Sequence, residues 1–244
     1  MKGAHHTAIV TGAGTGIGRA VALALAAHGF DLALTGRRKP PLEEVASGVR
    51  AAGANAHVIP GDVTDLGHVR ALVREAADAL GRIDVLVNSA GINTPKRRLD
   101  EIDVETWDRV IEINLSGTYY VTREVLPLMR AAGGGLIVNV ISGSGLVARD
   151  YAGAAYTAAK HGVAGLSRSV NAEEWRHGIR CTAIYPGEVE TAMLDSDYQR
   201  LQPGEQDMVL QPEDVAAAVM LAVRLPARAL LSDLVIRPTR GRHR

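Results

Sequence analysis

The chain passes from a short apolar run into a helical pattern at Thr11-Gly12-Ala13-Gly14-Thr15-Gly16-Ile17-Gly18. The run before it predicts a strand over residues 6–10, and the apolar residues after it recur at helical spacing until Gly29. A strand, a glycine-rich turn and a helix form a phosphate-binding arrangement, because glycines admit phosphates to the backbone and the helix N-terminus favours their charge. The common G-x-G-x-x-G spacing fails here, since its third glycine would fall on Ile17, and the glycines instead fit T-G-x-x-x-G-x-G. A glycine-rich turn without a ligand is the alternative for this loop alone.

The rest of the chain continues the alternation of strands and helices. Apolar runs predict further strands at 31–35, 56–60, 83–87, 136–141, 179–185 and 231–236. Helices are predicted between them at 41–52, from an N-cap at Thr64 to residue 80, and at 104–132, 154–175 and 212–225. This order predicts an α/β fold with a doubly wound parallel sheet, a Rossmann fold, in a single domain over residues 1–244. Weak periodicity around 192–211 is typical of a substrate lid.

Composition argues against several other classes of protein. The chain is 47% hydrophobic and has no formal net charge, which does not suit a disordered chain or a nucleic-acid-binding surface. No apolar run approaches the roughly 20 residues of a membrane span. Cys181 is the only cysteine and no export signal is visible, so we expect a reducing, cytoplasmic location. The eight histidines show no metal-ligand spacing, so we expect no metal.

Tyr156 and Lys160 are the first candidates for chemistry. Four residues apart on a predicted helix, they lie on one face and can reach a common point. A free phenol has a pKa of about 10 and is a poor acid or base at neutral pH, but a nearby ammonium lowers that pKa. A tyrosine tuned in this way can donate or accept the proton of a carbonyl or an alcohol. The pair alone is also typical of a solvated helix face.

The end of the second predicted strand carries Gly36-Arg37-Arg38-Lys39. In a dinucleotide-binding fold the adenosine ribose lies here, and an acid at this place accepts from the ribose hydroxyls of NAD. This chain has Gly36 and then Arg37, whose guanidinium suits the 2′-phosphate of NADP. A solvated basic turn before a helix is about equally compatible with the sequence.

Polar residues also follow the fourth and fifth predicted strands, where open α/β sheets bind their ligands. They are Asn88-Ser89-Ala90-Gly91 and Ser142-Gly143-Ser144-Gly145. Asn114 stands inside a predicted helix, where Asn is mildly unfavourable, so it has either a local polar contact or a function. We interpret the basic residues 96–98 as part of a solvated loop, Cys181 as a core residue and the basic tail 237–244 as exposed.

Together these pieces resemble the short-chain dehydrogenase/reductase family, in its single-domain branch, over essentially the whole chain. The matching motifs are Thr11-Gly12-x-x-x-Gly16-x-Gly18, Asp62-Val63, Asn88-Ser89-Ala90-Gly91, Asn114, Ser142, Tyr156-x-x-x-Lys160 and Pro186-Gly187-x-Val189-x-Thr191. Each motif is weak alone, but their joint occurrence in this order, at the ends of the right elements, is specific. The family usually has Asn in place of Ser89.

The resemblance implies a role for each motif. Tyr156 would be the general acid/base, Lys160 would lower its pKa and bind the nicotinamide ribose, Ser142 would hold the substrate oxygen, and Asn114 would hold a water. The remaining residues would bind the cofactor: Gly12, Thr15, Gly16, Ile17 and Gly18 at the pyrophosphate, Asp62 and Val63 at the adenine, Asn88, Ala90 and Gly91 along the nucleotide cleft, and Pro186, Gly187, Val189 and Thr191 at the nicotinamide. Counting forward along the fifth strand places the serine at Ser142, whereas counting back from Tyr156 places it at Gly143, so the loop must be one residue longer. Ser144 is the alternative.

The predicted reaction is hydride transfer between NADP(H), with NAD also possible, and a small carbonyl or alcohol substrate. The chain end 236–239 resembles NADP-using members that act on small hydroxy acids and ketones. A non-catalytic dinucleotide-binding redox sensor is a second hypothesis, and a reductase active only within a partner complex, supported by the basic tail alone, is a third. Small and apolar residues on helices 104–132 and 154–175, together with the resemblance, predict a homo-oligomer, either a dimer or a tetramer.

Overall fold

Seven parallel strands form one sheet in the computed structural model, which describes residues 6–194 and 201–242. The strands are β1 His6–Thr11, β2 Phe30–Gly36, β3 Ala56–Pro60, β4 Val85–Asn88, β5 Gly135–Val140, β6 Ile179–Pro186 and β7 Asp233–Ile236. Their order is β3-β2-β1-β4-β5-β6-β7, because the chain winds outward from β1 in one direction and then returns to build the other half. The predicted doubly wound, single-domain Rossmann fold is confirmed. Its switch point lies between β1 and β4, where sheets of this kind bind ligands.

Helices cover both faces of the sheet. They are α1 Gly16–Ala26, α2 Lys39–Ala51, α3 Leu66–Leu80, α4 Val104–Ile111, α5 Gly117–Ala131, α6 Ala154–Glu174 and α7 Pro212–Arg224. The first, second and seventh helices pack on one face, and α3 and α5 pack on the other. Strand side chains alternate between the two layers, so Val10 and Leu34 join the first while Ile9 and Ala33 join the second. Because both layers are apolar, the central strands are continuously apolar in sequence.

Some element boundaries differ from the prediction. The N-cap of α3 is Asp65, whose carboxylate accepts from the backbone N–H of His68, and not Thr64. The Thr64 hydroxyl donates instead to the Asp62 carboxylate. The negative charge of Asp65 at the N-cap is favoured by the helix dipole. The predicted helix 104–132 is interrupted by a π-helical turn, Glu112–Ser116, which contains Asn114.

The region 192–211, predicted as a substrate lid, is described only in part, because residues 195–200 lie outside the described residues. Its end is attached to the loop after β6. The backbone N–H of Glu190 donates to the Leu210 carbonyl, and that of Leu210 donates to the Glu188 carbonyl, both at 2.8 Å. In the described ranges, no helix is both long enough and apolar enough to cross a membrane.

Candidate active site

A cleft of about 690 Å³ opens at the carboxyl-terminal edge of the sheet. Its walls come from the loops after β1, β4, β5 and β6, together with the start of α6 and the chain after β7. A smaller cavity of about 150 Å³ adjoins it beside the glycine loop and reaches the ends of β2 and β3. The two lie along the switch point of the sheet. No group of three or more His, Cys, Asp or Glu side chains in the described residues could hold a metal ion.

The glycine loop lies where the two cavities meet. Gly12 has a φ of 64°, and a Cβ at this residue would lie 2.9 Å from the backbone of Ala90. A Cβ at Gly18 would lie 2.3 Å from the carbonyl oxygen of Gly12, so only glycine lets α1 begin this close to β1. Thr15 precedes α1, and within the described structure its side chain does not cap the helix. The first N–H groups of α1 are therefore available to an anion.

Asn88 occupies a different place from the cofactor residues around it. Its side chain is buried, and its amide donates to Thr122 Oγ1 at 3.1 Å and to Asn139 Oδ1 at 2.9 Å. Asn88 therefore connects β4 to β5 and to α5 within the protein interior. It does not line the cleft, as the resemblance implied that it would. The last two residues of the same motif, Ala90 and Gly91, do border both cavities.

Tyr156, Lys160 and Ser142 converge at the floor of the cleft. Tyr156 and Lys160 stand one turn apart on α6, with the Lys160 Nζ 5.4 Å from the centroid of the Tyr156 ring. Ser142 follows β5, and its side chain is close enough to the Tyr156 phenol to lower the pKa of that phenol. The Ser142 oxygen also accepts from the backbone N–H of Ser144 at 3.1 Å. The contact with Tyr156 favours Ser142 over Ser144 as the serine of this group.

Burial dominates the electrostatics of this group. It raises the pKa of the Tyr156 phenol to about 12, although the nearby Ser142 side chain and the positive charge of Arg97 both lower that pKa. Burial also lowers the pKa of Lys160 to about 8, and the Lys160 Nζ donates to the carbonyl oxygen of Val140 at 3.2 Å. The positive charge of Arg97 thus lowers the pKa of Tyr156. The effect of Lys160 on the same pKa stays a prediction.

Asn114 is fully buried in the π-helical turn between α4 and α5. Its Nδ2 donates to the carbonyl oxygens of Ile92 and Val110, both at 2.9 Å. Its Oδ1 is buried and has no hydrogen-bond partner among the described residues. A Cβ at Gly91 would lie 2.7 Å from this Oδ1 and 3.7 Å from the Lys160 Nζ, so both groups border the small space that this glycine leaves. An acceptor and an ammonium beside one polar space suit a bridging water.

The smaller cavity is bordered by both groups of residues that were predicted to bind the adenosine, one at the end of β2 and one after β3. Gly36 ends β2 and Arg37 follows it, and the Arg37 side chain is exposed. Asp62 and Val63 follow β3 on the other side of the cavity. The Asp62 Oδ1 accepts from the backbone N–H of Thr64 at 3.0 Å and from its hydroxyl at 2.9 Å, which fixes this turn.

The loop after β6 forms the opposite wall of the cleft. The motif residues that line it are Pro186, Gly187, Val189 and Thr191. The backbone N–H of Gly187 donates to the Ile236 carbonyl at 2.8 Å, which holds the loop against β7. A Cβ at Gly16 would lie 3.1 Å from Thr191 Cγ2, so Thr191 contacts the glycine loop. Ile17, the residue after Gly16, lines the same cleft.

Arg97 belongs to the cleft, and its interpretation as part of a solvated loop is wrong. Its side chain is only 3% exposed, although those of Lys96 and Arg98 are exposed. The Arg97 guanidinium donates to the backbone carbonyls of Thr94 at 2.7 Å and Tyr151 at 2.9 Å. A run of three basic residues has the same sequence whether or not its middle member turns inward, so no pattern in the chain predicted this burial.

In the tail, Arg237, Thr239, Arg240 and Gly241 are exposed as predicted, whereas Arg242 is not. The Arg242 side chain is 9% exposed and lies between two acids of its own chain. Its Nη1 is 3.7 Å from Glu188 Oε1, and its Nε is 3.1 Å from Glu205 Oε2. Arg242 therefore connects the loop after β6 to the segment before α7.

A doubly wound sheet with a glycine loop and a Tyr–Lys–Ser group at its switch point defines a dinucleotide-dependent oxidoreductase. The model of the short chain dehydrogenase family matches residues 6–202, and the chain belongs to that family. This confirms the resemblance on which the site was predicted.

Similar proteins of known activity indicate the general type of reaction. The cis-4-hydroxycyclohexanecarboxylate dehydrogenase of Sinomonas cyclohexanicum is 41% identical over 221 residues, which cover 88% of each chain. Carveol dehydrogenase from Mycobacterium avium in complex with NAD is similar in structure, with a TM-score of 0.88, 29% identity and coverage of 96% of this chain and 97% of that chain. An actinorhodin polyketide ketoreductase variant with NADPH has a TM-score of 0.87, 32% identity and coverage of 98% of both chains. The protein is thus an NAD(P)-dependent oxidoreductase of the alcohol and ketone class.

Proposed function

We propose that the protein transfers hydride between NADP(H) and a small carbonyl or alcohol substrate, with Tyr156 as the general acid/base. The observation that carries this proposal is the convergence of Ser142, Tyr156 and Lys160 at the floor of one cleft, with Tyr156 and Lys160 one turn apart on α6. The relative named for cis-4-hydroxycyclohexanecarboxylate supports a hydroxyl-bearing small molecule as the substrate.

Tyr156 and Ser142 act on the substrate oxygen. With a pKa of about 12, the Tyr156 phenol is protonated at neutral pH and ready to donate to a carbonyl oxygen during reduction. Ser142 and Tyr156 line the same cleft, so an oxygen placed between their two hydroxyls would be held by both. Both hydroxyls then stabilise the negative charge that develops on this oxygen. In alcohol oxidation the phenol must first lose its proton, and the positive charge of Arg97 favours that loss.

Lys160 and Asn114 return a proton to Tyr156. A pKa lowered to about 8 lets Lys160 give up and regain a proton near neutral pH. The unpartnered Oδ1 of Asn114 borders the same small space beside Gly91 and would hold a water there. The water and Lys160 would connect the phenol to the interior end of the cleft.

The residues present fit a nicotinamide dinucleotide. The glycine loop leaves room for a pyrophosphate beside the N-terminus of α1, and the smaller cavity leads from there to Arg37. With Gly36 in place of an acid, the end of β2 suits a 2′-phosphate, so we propose a preference for NADP(H) over NAD(H). Lys160 would hold the nicotinamide ribose, and Thr191 would contact the carboxamide. When bound, the nicotinamide supplies or accepts the hydride.

A panel of ketones and alcohols with both coenzymes, followed by nicotinamide absorbance, tests this function. Tyr156→Phe should lower kcat by about 10²–10⁴-fold and leave coenzyme binding in a fluorescence titration nearly unchanged. Tyr120→Phe, a tyrosine on α5 outside the cleft, is the matched control and should behave as wild type. If Tyr156→Phe keeps most of the activity, Tyr156 is not the acid/base. Coenzyme binding without turnover of any substrate would favour the redox sensor.

A further inference from the structure

Three arginines from separate segments of the chain meet around Tyr151 at one end of the cleft. The Arg97 Nη1 donates to the Tyr151 carbonyl oxygen at 2.9 Å. Arg149 and Arg237 lie close enough to the Tyr151 hydroxyl for their charges to lower its pKa, whereas burial and the charges of Glu188 and Asp150 raise it. All three arginines line the same cleft as Tyr156.

The backbone places these arginines from three directions. Arg97 is buried, and Gly153, with a φ of 85°, packs against its Cβ, where a further Cβ would lie at 2.4 Å. Arg149 lies in the loop that leads from β5 into α6. Arg237 directly follows β7, and a Cβ at Gly187 would lie 3.5 Å from its Cα. The cluster thus lies at the same carboxyl-terminal edge of the sheet as the candidate catalytic group.

The charge along the cleft is one-sided. The described charged residues that line it are four cations, Arg97, Arg149, Lys160 and Arg237, and one acid, Glu188. That acid lies 3.7 Å from Arg242, which offsets its charge. The whole chain has no formal net charge, so the excess of positive charge is local to this cleft. Of these cations, Lys160 is committed to the Tyr156 group.

We infer that the substrate carries a carboxylate in addition to its reacting carbonyl or hydroxyl, and that Arg149 and Arg237 bind this carboxylate. The inference rests on the proposed function and deepens it, because it makes the substrate an oxo acid or a hydroxy acid. The planar guanidinium presents paired donors that match a carboxylate. Arg97, whose guanidinium is directed at backbone carbonyls, contributes a fixed positive field to the same end.

These arginines are not placed to bind the coenzyme phosphates. The smaller cavity, where the 2′-phosphate would lie, is bordered by Arg37 and Arg38 and not by Arg149 or Arg237. The pyrophosphate would lie at the glycine loop, on the other side of the switch point from the chain after β7. An anion at the Tyr151 end of the cleft therefore belongs to the substrate.

Oxo acids and their methyl esters provide the direct test, for example 4-oxopentanoate against methyl 4-oxopentanoate and 4-oxocyclohexanecarboxylate against its methyl ester. We expect kcat/KM to favour the acids by about ten- to a hundred-fold, the effect of a hydrogen bond to a charged group. Arg149→Gln and Arg237→Gln should each reduce this preference, mainly through KM, and leave the esters within a few-fold of wild type. Arg74→Gln, an exposed arginine on α3, should leave the preference unchanged.

A binding measurement separates this inference from the proposed function. Pentanoate should raise the melting temperature of the coenzyme-bound protein more than pentanamide does, and the difference should disappear in Arg149→Gln and Arg237→Gln. If the esters are reduced as well as the acids in a reaction that requires Tyr156, the carboxylate assignment is overturned and the proposed function stands. If no ketone is reduced but the pentanoate effect is present and depends on the arginines, the anion site stands and the proposed function fails. A larger stabilisation by inorganic phosphate than by pentanoate would overturn the choice of a carboxylate.

Discussion

Among single residues, Tyr156 sets the pH dependence that we expect. With its pKa raised to about 12, the phenol keeps its proton through neutral pH, so carbonyl reduction should vary little there and fall only at alkaline pH. Alcohol oxidation needs the phenolate, so its kcat/KM should rise about tenfold for each pH unit below that pKa. Measurement of kcat/KM in both directions from about pH 6 to about pH 10 checks the sign. Oxidation that does not change over this range would contradict the role of Tyr156.

Arg37 is the residue on which the coenzyme preference depends. Arg37→Ala should weaken the binding of NADPH by about ten- to a hundred-fold and leave the binding of NADH almost unchanged, because only NADPH has the 2′-phosphate. Gly36→Asp should go further, since its carboxylate would accept from a ribose hydroxyl and repel a 2′-phosphate. The space exists, because a Cβ at Gly36 would lie 3.6 Å from Leu42 Cδ2, an ordinary contact.

Values of kcat/KM for NADPH and NADH in wild type and in these two variants test whether the coenzyme preference exists and whether it depends on Arg37. Lys39→Ala is the matched control, because Lys39 neighbours this turn but does not border the cavity. If the unmutated enzyme uses NADH as well as NADPH, the preference is absent and residues 37–39 are a solvated basic turn.

The site residues differ in how far the sequence could predict them. Tyr156, Lys160 and Ser142 were predictable because each stands at a fixed position relative to a strand or within a helical turn. The inward turn of Arg97 was not, because it depends on the carbonyls of Thr94 and Tyr151, and Tyr151 is 54 residues away in the chain. Side-chain partners across such distances are set by packing, which motif spacing does not contain.

Among the elements, α5 and α6 are joined by a pair of opposite charges. Arg130 on α5 donates to Glu174 on α6 through its Nε at 2.7 Å and also through its Nη2. Glu174 is buried, and the hydrogen bond from Arg130 lowers its pKa. Because the pair is half open to solvent on the arginine side, Glu174→Gln should lower the free energy of unfolding at neutral pH by about 1–3 kcal/mol.

The pH dependence of this pair has a definite sign. A carboxyl with a lowered folded-state pKa contributes stability above its ordinary pKa, and the contribution disappears as the pH falls through the lowered value. The difference between wild type and Glu174→Gln in urea unfolding should therefore shrink below about pH 4.5. Glu173→Gln, its exposed neighbour, should cost little at any pH. A difference that persists at low pH would show that packing, and not the charge, holds these helices together.

The spacing of apolar residues predicted each of the strands in the described sheet. It did not predict that the helix over 104–132 changes from α-helical to π-helical geometry. The prediction of one helix over 104–132 had no means to detect the π-helical turn, because Glu112–Ser116 continues the same apolar pattern. The turn carries Asn114 and bonds its amide to the carbonyls of Ile92 and Val110. Asn in a helix suggested either a local contact or a function, and its Nδ2 makes the local contact while its unpartnered Oδ1 faces the candidate site.

In the whole molecule, the outer face of α6 is the surface on which we expect assembly. Ala158, Gly165 and Ala172 are exposed and seven residues apart, so they lie along one side of the helix. A Cβ at Gly165 would have no atom of the described residues within 4 Å, so none of these residues covers this side at that point. Small residues allow the helix of a second copy to approach closely, and the resemblance to the family implies a dimer or a two-fold tetramer.

Light scattering at micromolar concentration measures the mass of the assembly directly. We expect a dimer or a tetramer for wild type and a smaller species for Gly165→Arg, because the long charged side chain would stand where a partner helix packs. The substitution should not disturb the single chain, since the space around Gly165 is open and arginine is a better helix former than glycine. Ala71→Arg, on the exposed side of α3, is the control for added charge and should keep the wild-type mass. A monomeric wild type would contradict the prediction, and the small residues of α6 would then be an ordinary solvent-facing surface.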